Sequence, residues 1–216
     1  MMEECNILID ELPHSVVVND CIYDVNWGYR ANIIMEICIF SDRSDEQKLL
    51  DCLNIFYCRN IPADVDQAVE KMLWFHRCGR SPDKPEDKKQ PSGAQRPKRT
   101  GRAYCFDKDA ALIFAAFFSQ YGINLNRTAN KDLHWWEFMA MFDSLGEDLL
   151  ISRVMYYRTT DTEGMSKKQK AFIMRMRKLY SLSDASSDMD SKAKLAKRNA
   201  DMLAYVRERM DACKKE

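Results

Sequence analysis

Leu133-His134-Trp135-Trp136-Glu137-Phe138-Met139-Ala140-Met141-Phe142 is the stretch whose reading decides the fold. It is apolar on nearly every side, so as a helix it must lie centrally in a core or be covered by a partner. Upstream, Asp107 stands where an N-cap would open a helix carrying Ala110, Ile113, Phe114, Phe117, Phe118 and Tyr121 on one wide apolar face, closed by Gly122. Downstream of Gly146, the spacing of Leu150, Val154 and Tyr157 predicts a short amphipathic helix. The capping pattern Ser166-Lys167-Lys168-Gln169 then opens a helix with Phe172, Ile173, Met176, Leu179 and Tyr180 expected inward.

The flanks read differently. Ser181 to Ser191 is rich in serine and aspartate and reads as a loop. Lys192 to Cys213 reads as a charged helix with the narrow seam Leu195, Met202, Val206 and Met210. Toward the start, Ser81 to Thr100 holds four of the six prolines and no large apolar residue. Such a composition buries too little surface to offset the entropy of ordering, which predicts a flexible linker. Before it, three helices are expected. One carries Ile33, Ile34, Ile37 and Cys38. A second follows the capping pattern Ser44 to Gln47 and carries Leu49, Leu50, Leu53, Phe56 and Tyr57. A third starts near Pro62, carries Val65, Val69, Met72, Leu73 and His76, and ends around Gly79. Ser15 to Val18 and Cys21 to Val25 flank Asn19-Asp20, the signature of a tight hairpin. The expected fold is therefore mainly α, with a small N-terminal β-hairpin and a flexible linker near the middle. Its blocks are 1–80 (hairpin plus three helices), 81–102 (linker), 103–182 (central helical region) and 188–216 (charged C-terminal helix).

Composition narrows the function. Thirty-three basic residues balance thirty-three acidic ones among 216, so no global field favours nucleic acid or an anionic membrane. The longest apolar runs fall short of the roughly 20 residues needed to cross a bilayer, and the start of the chain has no basic region followed by an apolar one, so no signal peptide is expected. None of the eight cysteines forms a C-x-x-C pair, and structural zinc sites need thiolates in close pairs. Reduced, structural thiols are the expectation, with no metal and no cofactor. The three histidines, His14, His76 and His134, are far apart in sequence. His134 beside two tryptophans reads as a ring packed or solvated at the start of a buried helix, because one histidine without a nucleophile or orienting carboxylate is not a mechanism. Asp107 and Asp109 are two apart and share no helix face, so they read as helix N-terminal charges and not as a carboxylate dyad. The basic run Lys167, Lys168, Lys170, Arg175, Arg177 and Lys178 is the best nucleic-acid candidate, but a solvated face explains it equally well. No catalytic residue is nominated. A protein that works by binding other proteins is the reading that remains.

A resemblance sharpens it. Tyr104 to Ala110, Leu112 to Phe117, Gln120 to Ile123, Leu133 to Phe138, Ser144 to Asp148, Tyr157-Arg158 and Met165 to Tyr180 together resemble, in order and spacing, the "gene product fifteen" family of phages and prophages of Gram-positive bacteria. Members are encoded among tail genes, next to the tape-measure gene. The resemblance implies a non-catalytic tail-assembly chaperone that binds the tape-measure protein, with other tail proteins as further partners, in the host cytoplasm and absent from the mature virion. The alternative is a minor structural protein retained in the tail. No nucleic-acid or membrane partner is expected, and self-association is left open. Aromatic side chains suit a surface that meets many helical segments loosely. The candidate partner-binding residues are Phe117, Phe118, Trp135, Trp136, Phe138, Phe142, Tyr156 and Tyr157. For any one of them, packing in the core is the simpler reading.

Overall fold

Asn19 and Asp20 both adopt positive φ (48° and 60°), the geometry of a two-residue hairpin turn. They join β1 (Ser15–Val18) to β2 (Cys21–Asp24), antiparallel with Val18 opposite Cys21. The computed structural model describes residues 5–80, 102–127 and 132–182. The linker read over 81–102 (Arg102 apart) and the charged helix read over 188–216 lie outside the described residues. Among the described residues there are seven helices and this one small sheet. A hairpin alone is marginal in water. This one buries Val16 and Val18, and its turn is tied to the start of α3 (Val65–His76). The Asn19 N–H donates to Gln67 Oε1 at 2.7 Å and its side-chain amide to Asp64 Oδ2 at 3.1 Å. Asp64 is the N-cap of α3, accepting from the Gln67 N–H, and these hydrogen bonds hold its carboxyl below the ordinary range. The helix thus begins at Val65, a little later than Pro62 suggested.

α1 (Tyr29–Ile39) and α2 (Asp45–Phe56) pack on each other, and α2 on α3. After residue 101 come α4 (Ala110–Tyr121), α5 (Trp135–Asp143), α6 (Leu150–Thr159) and α7 (Lys167–Leu179). α5 is the centre, as an all-round apolar helix requires: Trp135, Trp136, Phe138 and Phe142 are all buried. Phe138 stacks on Tyr29 of α1 (5.2 Å between centroids) and on Phe117 of α4 (4.8 Å). Backbone bonds Tyr29 N–H to Leu133 O and Trp135 N–H to Trp27 O join the starts of α1 and α5. The two indoles complete another helix end. Trp135 Nε1–H donates to His76 O (2.9 Å), a carbonyl that the last turn of α3 leaves open, and Trp136 Nε1–H donates to Phe75 O (2.8 Å), which also accepts from the Cys78 N–H. Gly79 follows at φ +74°, where an added Cβ would meet the Trp136 ring at 3.0 Å, so only glycine suits that turn.

Asp109, and not Asp107, is the N-cap of α4, and its carboxylate does not cap the helix. It accepts from the Cys105 N–H and receives both arms of the Arg158 guanidinium, at 2.6 and 2.9 Å, with both side chains buried. Arg158 also donates to Ala103 O and Tyr180 O. One side chain of α6 therefore joins the segment before α4, the start of α4 and the end of α7. The described residues up to Tyr180 form one unit.

Several apolar residues expected inward face outward. On α1 the buried side is Tyr29, Ala31, Asn32, Met35 and Cys38, while Ile34 and Ile37 are open. On α2, Leu49 and Leu50 are exposed, and Cys52, Leu53 and Phe56 are inside. On α7 only Ile173 is buried, with Phe172 and Leu179 exposed. The physical reason is shared. A helix with more than one apolar stripe can satisfy the core with any of them, and the neighbours choose which.

The described cysteines are free thiols. Burial pushes Cys52 and Cys78 up to about 12, whereas Cys21 and Cys58 are exposed. In native protein, iodoacetamide is expected to alkylate Cys21 and Cys58 first. Cys38, Cys52 and Cys105 should react only after denaturant is added, a contrast that peptide mass spectrometry reads directly.

Candidate protein-docking surface

The eight aromatic candidates divide by location. Phe117, Trp135, Trp136, Phe138, Phe142 and Tyr157 are buried within this chain. The first five belong to one core cluster that also holds Tyr29, Phe56, Phe75 and Phe106. Their rings meet one another and leave no face for a partner while the chain is folded. Phe118 (56% exposed, stacked along Phe114) and Tyr156 lie on the surface.

A concave, largely apolar feature lies elsewhere, between α1 and α2. It is an open groove of about 720 Å³ with Ala31, Ile34 and Ile37 of α1 and Ile55 of α2 among its lining. The polar part of the lining is the Arg43–Asp51 ion pair, Asn54, and Arg59 in the left-handed turn Cys58-Arg59 (φ 51° and 69°). Apolar side chains with polar groups beside them are the composition of a candidate protein-docking patch. Periodicity places Ile34 and Ile37 toward the core, and the structure leaves both exposed. The signal that could have found them is that α1 is apolar over more of its circumference than one core face uses, with Ile33, Ile34, Met35, Ile37, Cys38 and Ile39 running almost unbroken.

The titratable groups near the core are structural in geometry. His134 is the N-cap of α5: its Nδ1 accepts from the Trp136 N–H at 3.0 Å, while Glu137 accepts from the His134 N–H at 2.9 Å. That fixes the proton on Nε2, which lies 3.1 Å from Pro13 O and donates to it. The rings of His14, Trp27 and His134 form a three-way cluster, with centroids 4.4, 5.7 and 5.9 Å apart. Burial lowers the His134 pKa, and it lowers that of His76, whose Nε2 sits 3.5 Å from Glu36 Oε2. Burial raises the Glu36 carboxyl. Among the described residues no group of three or more His, Cys, Asp or Glu could hold a metal ion, and no described helix is long and apolar enough to cross a membrane.

A sign follows for acid stability. Burial makes both histidines bind protons less readily in the fold than in the unfolded chain. Their contribution is thus complete above the ordinary value of 6.5 and is lost as pH falls through the lower folded values. Glu36 runs the other way: its contribution is present below 4.5 and is lost as pH rises through its raised folded value. Urea midpoints measured between pH 7.5 and 5 should fall for the wild type. The fall should be shallower for His134→Asn, which keeps a capping acceptor, and steeper for Glu36→Gln, which removes the offset.

The described residues thus form a helical body around an aromatic core, with an open groove between α1 and α2 on its surface. The chain belongs to the Bacteriophage Gp15 protein family, whose family model matches residues 8–182. No curated protein and no solved structure matches it.

Proposed function

We propose that this protein is a non-catalytic phage tail-assembly chaperone that holds the tape-measure protein through the α1–α2 groove during tail morphogenesis. The observation that carries the reading is the groove itself: Ile34 and Ile37 stand open on an ordered helix while the large aromatics are consumed by the core. A recessed apolar strip with polar groups beside it accepts the apolar stripe of an amphipathic helix, and a tape-measure chain offers many such stripes. Family membership supports a phage setting. The groove is small beside a stable interface, which buries about 800 Å² per partner, so each contact is weak and releasable, as a holding protein needs.

The test is the protein content of finished particles. Mass spectrometry of purified virions should find tube and tape-measure proteins without this chain. Its presence in stoichiometric amount would establish the other reading, a minor structural protein retained in the tail.

A further inference from the structure

Two exposed surfaces of this chain are chemical complements of each other. The first is α7. From Gly164 to Leu182 there are six cations and no carboxylate, in a chain whose net charge is zero. Arg177 turns inward to Tyr157 O and Thr160 O. Lys167, Lys168, Lys170, Arg175 and Lys178 are exposed, and among the described residues no carboxylate pairs with them. Between them stand Phe172, Met174 and Leu179, the last 69% exposed. The second surface is the turn Asn6–Asp10. It is ordered by its own hydrogen bonds, from the N–H groups of Leu8, Ile9 and Asp10 to Asn6 oxygens and from the Asn6 N–H to Asp10 Oδ2. At its tip Leu8 and Ile9 are 90% and 81% exposed, followed at once by Asp10 and Glu11.

We propose that the Asn6–Glu11 turn of one copy docks on α7 of a second copy, placing Leu8 and Ile9 against Phe172 and Leu179, which are seven residues apart and share a helix face, and the Asp10 and Glu11 carboxylates against Lys168, Arg175 and Lys178 beside them. Ordered leucine and isoleucine at a loop tip, uncovered, mark an interaction site. Both surfaces stay exposed within one copy, so they do not satisfy each other inside the chain. A nucleic acid would neutralise the lysines but leave all of these apolar side chains in water. Pairing two different patches repeats head to tail and builds rings or open rows of copies. The proposal stands apart from the groove and its partner, and it can hold or fail independently of the chaperone role.

The test is sedimentation velocity of the full chain across a wide concentration range. At low salt the average sedimentation coefficient should rise with concentration, and it should return toward the monomer value at about 1 M salt, where screening acts within about 3 Å. Lys168→Glu with Lys178→Glu, or Asp10→Lys with Glu11→Lys, should each weaken association by about tenfold or more, because like charges then face each other. Mixing the two reversed proteins should restore it. Leu8→Ser should weaken it with every charge kept. Circular dichroism checks that each variant is folded. A chain that stays monomeric at every concentration overturns the proposal, as does association unchanged by either reversal. So does a monomer whose α7 lysines are needed only to bind single-stranded oligonucleotide or anionic vesicles.

Discussion

Replacing Arg158 with alanine is expected to destabilise the protein by about 3–5 kcal/mol, because it leaves the Asp109 carboxylate buried without its counter-charge. The pair is bidentate, the form in which a charge-assisted bond is strongest. More is lost than one pair, since Ala103 O and Tyr180 O also lose their donor. Arg158→Lys should recover only part of the loss, as an ammonium cannot make the two parallel bonds. The double variant Asp109→Ala/Arg158→Ala should recover some stability by removing the orphaned charge. It cannot recover all of it, because the Cys105 N–H is then unpaired. Thermal and urea unfolding read the series. A loss of under about 1 kcal/mol for Arg158→Ala would mean that the buried pair is not holding α4, α6 and α7 together.

Phe138→Ala is expected to cost about 3–5 kcal/mol, the range for a fully buried aromatic whose cavity cannot collapse. Its ring touches Tyr29, Phe106, Phe117, Trp135 and Phe142, drawn from four separate parts of the chain. Phe118→Ala, on the outer face of α4, should change stability by less than about 0.5 kcal/mol. The two phenylalanines sit in helices that look alike in sequence, so the contrast tests their placement and not their chemistry. Equal urea midpoints for the two variants would contradict the central position of α5.

What could be read from sequence here was local. Asn19-Asp20 specifies its hairpin through two residues that accept positive φ, Ser166 and Gln169 form a reciprocal cap, and Gly122 ends α4 in the left-handed conformation. The central burial of α5 follows from its having no polar side. What could not be read is long-range. Asp109 meets Arg158 across 49 positions, and the tryptophan indoles reach α3 carbonyls across 59 and 61. No periodicity encodes such pairings. The α1–α2 groove was illegible for a related reason. Ile34 is as apolar as Met35, and only the position of α2 and α5 decides that Met35 is inside and Ile34 lines an open surface. The helix cap at His134 was hidden because histidine is not among the usual N-cap residues, although Glu137 three positions on is half of the capping-box pattern.

The most direct measurement is co-expression of this chain with the tape-measure protein encoded by the same phage, comparing wild type with Ile34→Glu/Ile37→Glu, followed by a solubility assay and tagged co-purification. Both isoleucines are exposed, so the variant should fold with an unchanged circular dichroism spectrum. The account predicts that the tape-measure protein becomes soluble and co-purifies with the wild type, and that both effects are lost with the folded variant. A tape-measure protein that stays insoluble beside the wild type, or that is held equally well by the variant, contradicts it.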